Sequence, residues 1–139
     1  MLSYAVPALS ALGSYAYPAI TVEVDGRRVF GAAPGMVFVG NVPEYGTGFS
    51  VLPLASPTDG VLDVCVLPCA SREELLGHFM RAAAGEHLQG EDVIYVKGKR
   101  IVVDSEQAVP VQVDGEAAGH TPLEIDLLAA RLGFIVPRA

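Results

Sequence analysis

The chain has 139 residues, of which 51% are hydrophobic and 18% charged, and its formal net charge is −7. That length suits one domain of ordinary size, and the apolar content excludes a disordered chain. The negative charge speaks against nucleic acid as a partner and against direct adhesion to anionic lipid, since both need a basic surface.

The first 25 residues contain no Lys or Arg, and Pro7, Gly13 and Pro18 interrupt their apolar run. A secretory signal needs a basic start and an unbroken apolar stretch. No segment approaches the ~20 apolar residues of a membrane span. A cytoplasmic location is therefore expected, with peripheral membrane contact left open. Leu2, Val6, Leu9 and Leu12 recur at near-helical spacing and predict a short first helix.

Period two follows. Ile20, Val22 and Val24 alternate with Thr21 and Glu23, and Asp25-Gly26 then leads into Arg27-Arg28-Val29-Phe30. That is a hairpin signature. Met36 to Val39 is a continuous apolar run, expected of a strand buried on both faces. Phe49 to Leu54 and Val61 to Leu67 read as further strands. Ser71-Arg72-Glu73-Glu74 is a capping box that opens a helix, with Leu75, Leu76, Phe79, Met80 and Ala83 as its apolar stripe and Gly85 at its end. His78 and Arg81 are placed off or beside that stripe. Strands are then predicted at Val93 to Lys97, Ile101 to Asp104, Val111 to Asp114, Leu123 to Leu127 and Arg131 to Val136, with a basic turn at 97–100. Short strands with frequent Gly and Pro punctuation argue for a mainly β fold, a two-layer β-sandwich with one or two short helices.

Cys65 and Cys69 read as two buried small hydrophobes. Four residues of strand span ~13 Å, too far for a disulfide without a sharp reversal at Pro68. No further ligands stand at zinc spacing. His78, His87 and His120 share no spacing, and each reads as a surface or satisfied core residue.

Two acidic turns follow apolar strands or precede them. One is Ser56-Pro57-Thr58-Asp59-Gly60-Val61, the other Val113-Asp114-Gly115-Glu116. Carboxylates on rigid strand ends can bind Mg²⁺ or take a proton; Asp-Gly is equally a plain turn signal. Asp63 reads as a surface residue. Asn41 and the 46–48 stretch form a loop after a buried strand, of the kind that approaches phosphate or a neighbouring domain.

In this order, Val37-Phe38-Val39-Gly40-Asn41, Tyr45-Gly46-Thr47-Gly48-Phe49, Leu52-Pro53-Leu54-Ala55, Asp59-Gly60-Val61-Leu62-Asp63-Val64 and Gln112-Val113-Asp114-Gly115-Glu116 resemble the bacterial diacylglycerol kinase-like lipid kinases. The tail Leu132-Gly133-Phe134-Ile135-Val136-Pro137 looks like that family's last strand. The resemblance covers nearly the whole chain, but only the second of the family's two domains: residues 1–139 would be the C-terminal β-sandwich domain. The Gly-Gly-Asp-Gly-Thr loop of the nucleotide-binding first domain does not occur in these 139 residues. Thr47 stands where the family usually has glycine.

The resemblance implies an ATP-dependent kinase acting on a lipid hydroxyl, with ATP held mainly by the absent N-terminal domain as partner. It implies a proton acceptor in the second turn, Glu116 in first place and Asp114 in second. It also implies a structural Mg²⁺ at the first turn, with the Asp59 carboxylate and, by position, the Ser56 and Val61 carbonyls as ligands. This chain alone is expected to be inactive. A non-catalytic module that binds lipid or protein is the rival reading, and an enzyme split over two chains is another. The sequence leaves a homodimer open.

Overall fold

A computed structural model describes residues 17–45, 49–129 and 133. The first predicted helix, the 46–48 loop and, apart from Gly133, the last predicted strand lie outside the described residues. The described part is mainly antiparallel β. It comprises β1 (Ala19–Val24), β2 (Arg27–Gly40), β3 (Leu62–Pro68), α1 (Arg72–Ala83), a 3-10 turn (His87–Gln89), β4 (Ile94–Gly98), β5 (Arg100–Ser105), β6 (Pro110–Val113), β7 (Glu116–His120) and β8 (Leu123–Asp126). Six strands are ordered β4-β3-β2-β1-β5-β8, and β6-β7 form a separate hairpin.

The long strand β2 makes the two layers. Its first half pairs with β1, as in Val24 opposite Arg27 and Ala19 opposite Pro34. Its second half pairs with β3, from Gly35 opposite Pro68 to Gly40 opposite Asp63. A register shift and the positive φ of Ala32 mark the irregular stretch between them. A strand that changes partner at a bend is how one sheet turns into the second layer of a sandwich. Two separate strands were expected here, at Val29-Phe30 and at Met36 to Val39; the structure has one.

The main core lies between the layers. Ile20, Val22, Val24, Ile101 and Val103 come from one layer and Leu62, Val64 and Val66 from the other. The alternate residues of β3, Cys65 and Leu67, face a second cluster with Val51, Leu52 and Ala55. So the strand buried on both faces is β3 rather than β2. The stretch Phe49 to Leu54, expected as a strand, is a loop that covers this second face. It is tied down by a bridge from Glu44 to Ser50 and by His87, whose Nε2 donates to the Val51 carbonyl at 3.0 Å.

Helix α1 begins as its capping box predicts. The Glu74 N–H donates to Ser71 Oγ at 3.2 Å, while the Glu74 carboxylate accepts from Ala70 N rather than from the cap residue itself. Its buried face is Leu75, His78 and Ala82, while Leu76 and Met80 are exposed. The expected stripe is thus rotated. His78 can go inside because both ring nitrogens are satisfied: Nε2 donates to the Pro68 carbonyl at 2.8 Å and Nδ1 accepts from Arg81 Nη2 at 3.1 Å. Cys65 and Cys69 are free and buried, as expected. Burial pushes their thiols up to about 12 and about 11, so neither is a thiolate at neutral pH.

Candidate functional site

Asp114 and Gly115 form the turn between β6 and β7. Both have positive φ, 50° and 92°, the backbone of a type I′ turn, which Asp-Gly accommodates. The same chemistry repeats at Asp25 and Gly26, with φ 50° and 78°. Glu116 is the first residue of β7 and pairs with Val113. Asp114 and Glu116 are both exposed, so a substrate can reach them without rearrangement of the core.

The hairpin is not isolated. The loop that leaves β2 approaches it at Tyr45, which lines the same cleft as Gln112 and whose hydroxyl pKa is raised by burial. Tyr45 itself stacks edge-on against Phe38, ring centroids 5.7 Å apart. Among the described residues, a cleft of about 820 Å³ runs from the second half of β2 to the hairpin. Met36, Val39, Leu52, Val103 and Val111 contribute apolar wall, and Asp114 and Gly115 stand on its lining. Asn41 borders the same cleft.

The first acidic turn is built differently. Asp59 Oδ1 accepts from Val61 N at 3.2 Å, closing the turn on itself. Ser56 Oγ meets Thr58 Oγ1 at 3.2 Å within the same turn. Asp59 Oδ2 is 3.0 Å from Lys97 Nζ. The Lys97 hydrogen bond, helped by the Val61 N–H and opposed by partial burial, holds the Asp59 carboxyl below its ordinary value.

Asp63 corrects the surface expectation. It is fully buried. Its Oδ1 accepts from the Tyr95 hydroxyl at 2.7 Å, and its Oδ2 lies 3.2 Å from Lys97 Nζ, a charge contact without hydrogen-bonding direction. Burial first, and then the bond to Asp63, raise the Tyr95 hydroxyl far above its usual value. The sheet explains the grouping: Asp63 is directly opposite Lys97, and Cys65 opposite Tyr95. Residues 95 and 97 share a face of β4. Lys97 also donates to the Leu54 carbonyl at 2.8 Å.

Sequence reasoning missed this cluster of Asp63, Tyr95 and Lys97. The available signal was an aspartate inside the apolar run Leu62-Asp63-Val64-Cys65-Val66, since a buried carboxylate requires a partner. Among the described residues, no three His, Cys, Asp or Glu side chains converge as metal ligands. A metal at the Asp59 turn would therefore have to lean on backbone carbonyls. Asp59, Ser56 and Val61 do lie in one closed turn, and their all-oxygen donor chemistry suits a hard cation such as Mg²⁺.

The structure brings Asp59 together with Asp63 and Lys97. No hydrogen bond or ion pair among the described residues joins this group to Asp114 or Glu116. Both do lie toward the Gly40 end of β2: Asp63 pairs with Gly40, and Gly40 and Tyr45 line the same cleft as Gln112 and Asp114. His120 is exposed on β7.

Residues 1–136 match the model of a protein family described as the YegS C-terminal NAD kinase beta sandwich-like domain. Curated relatives include a diacylglycerol kinase of Bacillus subtilis (strain 168), 28% identical over 138 residues, covering 99% of this chain and 45% of that protein. A diacylglycerol kinase of Mycobacterium tuberculosis (strain ATCC 25618 / H37Rv) is 30% identical over 115 residues, with 83% of this chain and 37% of that protein covered. Among solved structures, a diacylglycerol kinase from Bacillus anthracis str. Sterne superposes with a TM-score of 0.63 at 29% identity, covering 88% of this chain and 42% of that one. The chain spans less than half the length of each of these relatives.

Proposed function

The chain belongs to the YegS C-terminal NAD kinase beta sandwich-like domain family, and from that membership we propose that it is the C-terminal domain of an ATP-dependent lipid kinase that phosphorylates a diacylglycerol-like hydroxyl. Residues 1–139 work as one domain beside a nucleotide-binding domain that carries a Gly-Gly-Asp-Gly-Thr loop and holds ATP. The supporting observation is the apolar cleft of about 820 Å³ whose lining ends at Asp114 and Gly115. A lipid acceptor needs apolar wall for its chains and a base beside its hydroxyl, and this cleft offers the wall next to the acidic turn.

Glu116 takes the hydroxyl proton as the lipid oxygen attacks the γ-phosphorus of ATP, whose bond to the β–γ bridging oxygen breaks and releases ADP. Asp114, fixed in the turn by its positive φ, orients the hydroxyl or takes the proton in its place. A bound Mg²⁺ at the Asp59 turn supplies structural charge neutralisation there, with the Asp59 carboxylate and the Ser56 and Val61 carbonyls as its ligands. Asp59 also shapes the turn through Val61 N–H.

The test is kcat of the intact kinase containing this domain. Glu116→Gln keeps the side chain's shape and removes the basic oxygen. General-base contributions are about 10²–10⁴-fold, so kcat should fall by that range, with a smaller change in the KM for ATP. If Glu116→Gln retains full kcat and Asp114→Asn is dead, the base is Asp114. If both variants keep full activity, the hairpin is only a turn, and a non-catalytic lipid- or protein-binding module becomes the better reading.

A further inference from the structure

Lys97 is the most heavily engaged cation among the described residues. Three oxygens surround its ammonium: Leu54 O at 2.8 Å, Asp59 Oδ2 at 3.0 Å and Asp63 Oδ2 at 3.2 Å. Two of them, Leu54 O and Asp59 Oδ2, accept hydrogen bonds from the ammonium, and Asp63 Oδ2 adds a charge contact. Two carboxylates and one ammonium leave the cluster one negative charge in excess.

Asp63 gives the arrangement its necessity. Its carboxylate is fully buried, and Oδ2 has no hydrogen bond of its own. A buried charge without a counter-charge is strongly unfavourable. Lys97 is its cross-strand neighbour and the nearest cation. Asp59, by contrast, is partly exposed and already shapes its own turn. Lys97 therefore bridges a buried carboxylate inside the sheet to the carboxylate of the acidic turn.

We infer that Lys97 is the built-in cation of the Asp59 turn, and that it competes with a divalent cation for Asp59 Oδ2. The competitive half rests on the metal reading given above; the structural half does not. A divalent ion on Asp59 would face a resident positive charge bound to the same oxygen atom. Each would weaken the other's hold on it. The turn is then occupied by Lys97 at low divalent concentration, and metal binding loosens Lys97 toward Asp63 and Leu54.

The experiment is a MgCl₂ titration of the melting temperature of the purified chain, at constant ionic strength because exposed ion pairs are screened by salt. Binding to the native state raises stability with ligand concentration, so the titration yields a midpoint. Lys97→Met should melt lower than the parent in EDTA, and its Mg²⁺ midpoint should fall by about tenfold or more, from loss of like-charge repulsion. Lys97→Arg keeps the charge and should keep the parental midpoint. Lys97→Gln, which can still donate to the Leu54 carbonyl, replaces the Met variant should that one fail to fold. A parent without any Mg²⁺ response, alongside a Lys97→Met or Lys97→Gln variant that gains one abolished by Asp59→Asn, also supports the inference.

An unchanged midpoint in the charge-removing variant, with a normal parental response, overturns the competition and leaves the metal site standing. No Mg²⁺ response in any variant overturns both.

Discussion

The Tyr95 hydroxyl donates to one oxygen of a buried carboxylate and accepts from the Leu54 N–H at 3.3 Å, so its removal breaks both bonds. Tyr95→Phe leaves Asp63 Oδ1 without its 2.7 Å donor in a fully buried position. Leaving such a group unsatisfied costs about 1–3 kcal/mol, and more for a charged one. Urea unfolding should show a lower midpoint at unchanged slope; an unchanged midpoint would mean that Lys97 alone suffices for Asp63. The same cluster predicts a pH profile. Asp59 titrates below its ordinary value in the folded chain, chiefly through Lys97. Its contribution is therefore present above about pH 4 and lost as pH falls through the folded value. Lys97 titrates above its ordinary value, chiefly through Asp59. Its contribution is present below about pH 10 and lost as pH rises through the folded value. Stability from the pair is a plateau between those limits, and Lys97→Met should flatten both shoulders in denaturation profiles taken across pH.

Elements differ in how much of them a sequence can show. Both Asp-Gly turns and the start of α1 are legible because four or five consecutive residues decide them: a type I′ backbone at residues 25–26 and 114–115, and the Ser71 cap. Strand β2 is not legible as one element. Gly31, Pro34 and Gly35 read locally as punctuation, yet distant partners carry the strand through, β1 on one half and β3 on the other. Strand β7 is similarly hidden, since Glu116–His120 has little β-forming character and is held by pairing with β6. Of the candidate site, the two turns were visible as motifs. The partner of Asp59 was not, because Lys97 is 38 residues away in the chain. Gly98, beside it, shows the same non-local demand. A Cβ there would lie 2.2 Å from Val24 Cγ1 and 2.8 Å from Asp25 Oδ2. Gly98→Ala should thus destabilise by about 1–3 kcal/mol through overpacking. Gly77→Ala, in α1 with nothing within 4 Å of the added carbon, should instead gain up to ~1 kcal/mol of helix propensity. Equal effects of the two substitutions in a thermal melt would contradict the packing at the β4 end.

Whole-molecule charge bears on what this chain can do by itself. Phosphoryl transfer depends on positioning and on cations placed against the transferred phosphoryl group. The chain is acidic overall, with nine Lys and Arg against sixteen Asp and Glu. Several of those few cations are committed to internal partners: Lys97 to Asp59 and Asp63, Arg100 to Glu124, and Arg28 to Glu23. On the proposed reading the sandwich offers an acceptor cleft and a base, while the Gly-Gly-Asp-Gly-Thr loop that the resemblance assigns to nucleotide binding does not occur in these 139 residues. On the proposed reading, the purified 139-residue chain should transfer no phosphate from ATP to diacylglycerol in mixed micelles, with or without Mg²⁺. Radiolabel transfer is sensitive enough to decide it. Phosphorylated lipid from this chain alone, lost in Glu116→Gln, would mean that the sandwich cradles ATP itself and that the division of labour between two domains is wrong. Activity that appears only when a nucleotide-binding domain is added, and that disappears with Glu116→Gln, is the outcome the proposed reading requires: the base would come from this turn and the phosphate-binding charge from elsewhere.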